Sequence, residues 1–353
     1  MSIKKIGREV LFMHVNDEFS RNGEGAFIRL KNGDILYAYT KYPAGDWADR
    51  AEADIYGIYS SDEGETWHGD RKLLERRNGE INYMSVSFLR MKNGDIGMFY
   101  LINDEKAVGR LHLSTSADEG ITWSEPVCCI TEEGDHVTNN DRVVRLKNGR
   151  IVVPANRHPY GAVENWVGFM MFYASDDDGK TWFKMTDRVG IAELKGSTAG
   201  LQESGIYEYE EGGLWAWSRT DRGYQYECFS DDLGKSWTEP VPNLYFSSHV
   251  SPMQVKKVGK YTLAVFNPIP GYTSRDEQKE PWGRTPYLCA VSEDDGKTFL
   301  RTYYLEDDFT NGYCYPSLIE CEDGFLVAYY HSDGSEICLR SQKITKVLWK
   351  EIE

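Results

Sequence analysis

Ser60-Ser61-Asp62-Glu63-Gly64-Glu65-Thr66-Trp67 decides the fold, because it returns four more times. The copies are Ser116-Ala117-Asp118-Glu119-Gly120-Ile121-Thr122-Trp123, Ser175-Asp176-Asp177-Asp178-Gly179-Lys180-Thr181-Trp182, Ser230-Asp231-Asp232-Leu233-Gly234-Lys235-Ser236-Trp237 and Ser292-Glu293-Asp294-Asp295-Gly296-Lys297-Thr298-Phe299. The shared pattern is S-x-D-x-G-x-[TS]-[WF], and it recurs every 55 to 62 residues. A fixed period of this size marks a propeller or another repeat array. Each copy has the chemistry of a pinned turn. Its Asp can accept from nearby backbone N–H groups, and its Gly supplies a positive φ. Its aromatic residue is placed to bury between neighbouring repeats. These aspartates are therefore expected to hold turns rather than to do chemistry.

A second repeat runs beside the first. An apolar stretch, a polar pair with Gly and another apolar stretch occur at Leu30-Lys31-Asn32-Gly33-Asp34-Ile35-Leu36, Met91-Lys92-Asn93-Gly94-Asp95-Ile96 and Leu146-Lys147-Asn148-Gly149-Arg150-Ile151. The pattern returns at Glu211-Gly212-Gly213-Leu214, Val258-Gly259-Lys260-Tyr261 and Glu322-Asp323-Gly324-Phe325-Leu326. Asn-Gly and Asp-Gly are strong hairpin signals. Six hairpin turns thus accompany five Asp-containing turns, and each pair implies about four strands, the content of one propeller blade. The expectation is an all-β, six-bladed β-propeller forming one domain over residues 1–353, with the motif missing from the last blade. Residues 337–349 are expected to complete that blade, and Val10-Leu11-Phe12 to close the ring. Residues 40–54 and 267–284, rich in Pro, Gly and charge, read as loops around a central pocket.

Composition narrows the function classes. The 23 Tyr, 10 Trp and 33 Gly suit many short strands joined by tight turns. A net charge of −16 argues against nucleic acid or an anionic membrane as partner. An acidic fold that binds an anion needs a local cluster of arginines. Met1-Ser2-Ile3-Lys4-Lys5-Ile6 is not followed by an apolar leader core. The seven cysteines are odd in number, include adjacent Cys128 and Cys129, and form no C-x-x-C pair. Reduced thiols and a cytoplasmic location are the expectation, with a processed secreted form left open. The histidines show no H-E-x-x-H spacing, and Gly23-Glu24-Gly25 lacks the third Gly and the helix of a dinucleotide loop, so no metal or cofactor is expected.

Five copies of the motif on a six-bladed count resemble the sialidase (neuraminidase) superfamily with its Asp boxes, over essentially the whole chain. The box is specific for this kind of fold and not for activity, so function must be argued from the site. The resemblance implies a hydrolase acting on a glycan or small-molecule sugar, cleaving a ketoside with a carboxylate beside its anomeric carbon. Arginines suit that anion. A carboxylate nucleophile would be repelled by it, so the family uses a neutral Tyr with a Glu as its base. An Asp serves the leaving oxygen as acid and base.

These roles map onto quoted stretches. Glu203 stands in Leu201-Gln202-Glu203-Ser204-Gly205-Ile206-Tyr207, and Arg219 in Trp217-Ser218-Arg219-Thr220. Two strands and a hairpin between them put both side chains at one end of a blade, which resembles the family's Glu and Arg arrangement. Arg284, in Gly283-Arg284-Thr285-Pro286-Tyr287-Leu288, precedes the fifth box, where the family also has an Arg. Tyr315, in Tyr313-Cys314-Tyr315-Pro316-Ser317-Leu318, resembles the family's Tyr-Ser pair, with Tyr313 as competitor. The acid/base is expected in Asp46-Trp47-Ala48-Asp49-Arg50-Ala51-Glu52, with Asp49 first and Asp46 second.

One stretch departs from the family. Its aromatic-Arg-Ile-Pro segment corresponds to Arg21-Asn22-Gly23-Glu24-Gly25-Ala26-Phe27, where Gly23 or Glu24 stands in place of the Arg. Glu24 would repel a substrate carboxylate. Arg21, or Arg142 in Asn139-Asn140-Asp141-Arg142, is a candidate replacement. By the same end-of-blade argument Asp141, Met84-Ser85, His158 and Ser248-His249 are placed to line the pocket. Tyr315, Glu203 and Asp49 are thus the implied catalytic residues. Arg219, Arg284, Arg142, Arg21, Glu24, Asp141 and His249 are the implied substrate-binding set. Two other readings stay open: a propeller glycosidase for a different acidic or modified glycan, and a non-catalytic carbohydrate-binding propeller.

Overall fold

The structure is a computed structural model that describes residues 3–105, 108–158, 167–186, 188–189, 194–210, 212–270, 284–332 and 339–353. Most of the expected 267–284 loop, and residues 337–338 of the expected closing segment, lie outside the described residues, as does Glu211 of the fourth hairpin.

Short apolar runs bounded by the quoted turns form six antiparallel sheets, one per blade. Blade I is Phe19–Arg29, Ile35–Pro43, Asp54–Ser60 and His68–Leu74, in that order from the inside out. The first strands of blades II, IV, V and VI are Glu80–Arg90, Gln202–Glu210, Gln254–Val258 and Tyr313–Cys321. The first strands of blades I and II, IV and V, V and VI, and VI and I pack on one another around the axis. The second strands Gly213–Arg219 and Tyr261–Phe266 are buried along their whole length, and those of the other blades over most of it. That is the burial of a strand covered on both faces, and it explains why these segments read as continuous apolar runs. In blade VI the N-terminal strand Arg8–Met13 pairs outside Ser341–Leu348 and closes the ring. The chain then ends in a helical turn, Trp349–Ile352.

Blade III departs from four strands. Asp135–Val137 and Val144–Arg145 both pair with Ile151–His158, so its sheet has five. The chain leaves the ladder between them, where Asp141 takes a positive φ of 54°.

The core lies between the blades. Six buried clusters each join one blade to the next, including the VI–I junction. Trp67, Trp123, Trp182, Trp237 and Phe299 each enter the cluster shared with the preceding blade. The turn before each aromatic is pinned as its sequence implies. Asp62 Oδ1 accepts from Ser60 Oγ at 2.8 Å and from Thr66 N at 2.9 Å, and Oδ2 accepts from Thr66 Oγ1 at 2.6 Å. Gly64, with φ 82°, donates its N–H to Ser60 Oγ and lies against Leu326 of blade VI, where a Cβ would come within 2.6 Å.

Candidate active site

In blades I to V the Asn-Gly-type hairpin and the Asp turn lie at one end, and the loop joining the second and third strands lies at the other. Among the described residues ten non-glycine residues have positive φ, and they split evenly. Glu63, Glu119, Asp178, Leu233 and Asp295 belong to the Asp turns. Glu24, Ser85, Asp141, Glu203 and Tyr315 sit on the inner walls of blades I, II, III, IV and VI, at the end away from those turns. Glu24, Ser85, Glu203 and Tyr315 each fall where the innermost ladder slips register. Left-handed backbone costs such residues about 1–3 kcal/mol each and persists where the surroundings over-determine it. The bulge turns the side chain toward the axis.

Four of those five residues line one cavity of about 530 Å³. Its wall includes Glu24, Ser85, Glu203 and Tyr315, together with Asp49, Arg50, Arg219 and Arg284. Met84, Leu101 and Val137 give it an apolar side. A larger groove of about 850 Å³ lies on the outer flank, between Leu244 and Leu300. Glu227 and Lys297 are the only charged residues in its lining, so convergent ionisable groups favour the central cavity.

The Tyr315 phenol donates to Glu203 Oε1 at 2.6 Å, and Arg219 Nη1 lies 2.7 Å from Glu203 Oε2. The Arg284 guanidinium stands 5.6 Å from the Tyr315 ring centre and donates to Cys314 Sγ. Burial works against the Glu203 carboxylate, but Arg219, the Tyr315 hydroxyl and Arg284 hold it below its ordinary range. Burial and the Glu203 charge push the Tyr315 phenol well up, so it carries its proton. A neutral phenol hydrogen-bonded to an ionised carboxylate is the ground state of a nucleophile with its base.

Asp49 comes from the loop between Pro43 and Asp54, and its side chain is more than half exposed. Its Oδ1 pairs with Arg21 Nη1 at 2.6 Å. Desolvation opposes its charge, yet Arg21, Arg284 and Arg50 together hold it below the usual carboxylate range. Asp46 caps the same loop by accepting from Ala48 N at 2.9 Å. Arg50 reaches Asn103 Oδ1 at 2.8 Å and Asp135 at 3.2 Å.

Arg21 is buried and does not reach the cavity surface. It pairs with Glu24 at 2.8 Å and Asp49, and donates to Tyr330 Oη at 2.8 Å. Tyr330 also explains Gly23, where a Cβ would stand 1.8 Å from the Tyr330 ring. Arg142 and Asp141 are not at the cavity surface either. Arg142 is buried against Gln254 and over the Trp217 ring, and burial lowers its guanidinium to about 10. It is therefore a core group. Asp141 pairs with Lys256 at 2.6 Å and accepts from Leu318 N. His249 is buried ahead of Gln254–Val258 and outside the cavity lining, whereas His158 lies within it. Tyr313 packs in the V–VI core. Sequence reasoning gave no role to Trp47, Arg50, Asn103 or Asn139, which also line the cavity.

Residues 49–328 match the profile of the BNR repeat-like domain. A sialidase of Bacteroides fragilis strain YCH46 is 24% identical over 259 residues, covering 69% of this chain and 43% of that protein. The chain thus spans less than half the length of this curated relative. Among solved structures, a protein of unknown function from Dyadobacter fermentans DSM 18053 superposes with a TM-score of 0.73 at 17% identity, covering 96% of this chain and 99% of that one. The intramolecular trans-sialidase of Ruminococcus gnavus, in complex with oseltamivir carboxylate, gives a TM-score of 0.72 at 15% identity, covering 97% of each chain. These structural likenesses show a common fold.

Proposed function

The chain belongs to the BNR repeat-like domain family, and from that premise we propose that it is a sialidase-type exo-glycoside hydrolase releasing a terminal acidic sugar. The observation that carries the reading is the 2.6 Å hydrogen bond from Tyr315 to Glu203, made between two strained residues in an arginine-bearing cavity. The sialidase and trans-sialidase relatives support the same substrate class.

In the first half-reaction Tyr315 Oη bonds to the anomeric carbon as the glycosidic C–O bond breaks. The phenol proton passes to Glu203, and Asp49, which the arginines hold ionised and which must first take up a proton from solvent, gives that proton to the leaving oxygen. In the second, Asp49 takes a proton from water, whose oxygen attacks the anomeric carbon. The Tyr315 oxygen departs and recovers its proton from Glu203. Arg219 and Arg284 hold the acidic group of the sugar. Tyr315→Phe and Glu203→Gln are expected to abolish hydrolysis of an aryl sialoside while leaving the circular dichroism unchanged. Wild-type rates in both variants would overturn the assignment. Glu24 in the cavity wall favours a second reading, a different acidic or modified glycan, which a panel of other acidic glycosides tests.

A further inference from the structure

Glu24 occupies on blade I the place that Glu203 and Tyr315 occupy on blades IV and VI. It is buried, strained at φ 54°, and fixed through both carboxyl oxygens. Arg21 donates to Oε1 at 2.8 Å, and Ser85 Oγ of blade II bonds to Oε2. Such a carboxyl is a held wall group and not a loose surface charge.

Its charge decides what the cavity offers an anion. Four arginines belong to the site and its immediate backing: Arg21, Arg50, Arg219 and Arg284. Four carboxylates answer them: Glu24, Asp49, Asp135 and Glu203. With all eight ionised the set is neutral. With Glu24 protonated it carries one net positive charge. We propose that Glu24 is a specificity-determining residue, selecting a monoanionic sugar that presents a hydroxyl, and not a second anion, to the wall formed by blades I and II. The proposal rests on the glycosidase reading for its substrate class.

The groups facing Glu24 come from every neighbouring element. Arg21 lies on its own strand, Tyr37 and Tyr42 come from the next strand, and Asp49 from the loop beyond. Ser85 lies on blade II, Glu203 on blade IV, and Tyr315 and Tyr330 on blade VI. Burial is the largest influence, Arg21 opposes it, and Asp49 and Glu203 add to it. The balance raises Glu24 to about 7. Glu24 therefore gives up its proton near neutrality, and anion binding weakens as the pH rises through that value.

The test uses the full chain and calorimetric binding of the 2,3-unsaturated analogue of N-acetylneuraminic acid, with its neutral methyl ester as twin. In the wild type the dissociation constant of the acid is expected to rise at least about fivefold between roughly pH 6 and 8, while that of the ester stays level. In Glu24→Gln the acid is expected to bind equally across that range. Equal pH dependence of acid and ester in the wild type overturns the proposal, and this arm needs no variant to fold. An unchanged pH dependence in folded Glu24→Gln overturns it as well, as does failure of both ligands to bind folded wild-type protein. Absent hydrolysis with the predicted binding intact removes the glycosidase reading alone.

Discussion

Arg29 and Glu63 form a bidentate pair at 2.7 and 2.8 Å, joining the innermost strand of blade I to its own Asp turn. Glu63 also accepts from Glu322 N of blade VI at 3.0 Å. The arrangement repeats: Glu119 meets Arg90 and Lys31 N, and Asp178 meets Arg145 and Lys92 N. In blades I to III the residue after the box Asp thus ties its blade to the one before. Arg90 is the main cause that lowers Glu119 to about 2. A depressed carboxylate contributes stability above its unfolded value, and that contribution is lost as the pH falls toward its folded value. Glu119→Gln should therefore destabilise the protein at pH 7 by about 1 kcal/mol, the pair being partly exposed to solvent. Urea unfolding at about pH 7 and about pH 2 checks this, and the difference should close at the lower pH.

Trp182 is expected to matter more than any box carboxylate. It is buried in the II–III core, edge-on to Phe99 at 6.1 Å, with its Nε1 donating to Gly179 O. Trp182→Ala leaves a void that two rigid blades cannot collapse into, and should cost about 3–5 kcal/mol. Thermal unfolding followed by near-ultraviolet circular dichroism measures the loss. A change below about 1 kcal/mol would show that the blades repack freely.

The blade count was legible because turn chemistry is local. Asn-Gly and the Asp turn act within a few residues, so their spacing carries the architecture without long-range information. Part of the site was legible for the same reason. Glu24, Ser85, Glu203 and Tyr315 each stand nine residues before a hairpin glycine, and Asp141 stands eight before Gly149. That offset marks the bulge on each inner strand and could have been read from the repeats. What the sequence hid is where a long side chain goes after leaving its strand. Arg142 is buried against Gln254 and Trp217, contributed by blades V and IV. Arg21 ends between Tyr330, Glu24 and Asp49, partners spread over more than three hundred positions. No local pattern encodes those meetings. The five-stranded sheet of blade III was hidden likewise, because its break at Asp141 depends on Lys256 and Leu318 of other blades.

Asp49 should show its role through the leaving group. Its Oδ1 is engaged by Arg21, and its side chain is more than half exposed and lines the cavity. General acid catalysis contributes about 10²–10⁴-fold, and most where the departing oxygen is basic. Asp49→Asn should therefore lose about 10²-fold or more on an alkyl sialoside. An activated nitrophenyl sialoside should keep most of its glycosylation rate. Steady-state kcat/KM on the two substrates separates the cases. An equal loss on both would assign Asp49 to positioning Arg21.

Arg219 holds the base in its ionised form. Burial alone would raise Glu203, and the Arg219 guanidinium at 2.7 Å is the largest influence that lowers it. A base works above its own pKa, so a lowered value keeps the acidic limb of kcat/KM at low pH. Removing Arg219 takes away that charge and leaves the desolvation in place. Arg219→Ala should then move the acidic limb to higher pH, as Glu203 keeps its proton further up the scale. It should also raise KM for an anionic sugar, because one of the two cavity arginines assigned to the acid is gone. The combined loss in kcat/KM near pH 7 should be about 10²-fold. A pH profile of folded Arg219→Ala on an aryl sialoside checks both parts. A weaker substrate affinity with an unmoved acidic limb would mean that Arg219 binds substrate without tuning Glu203.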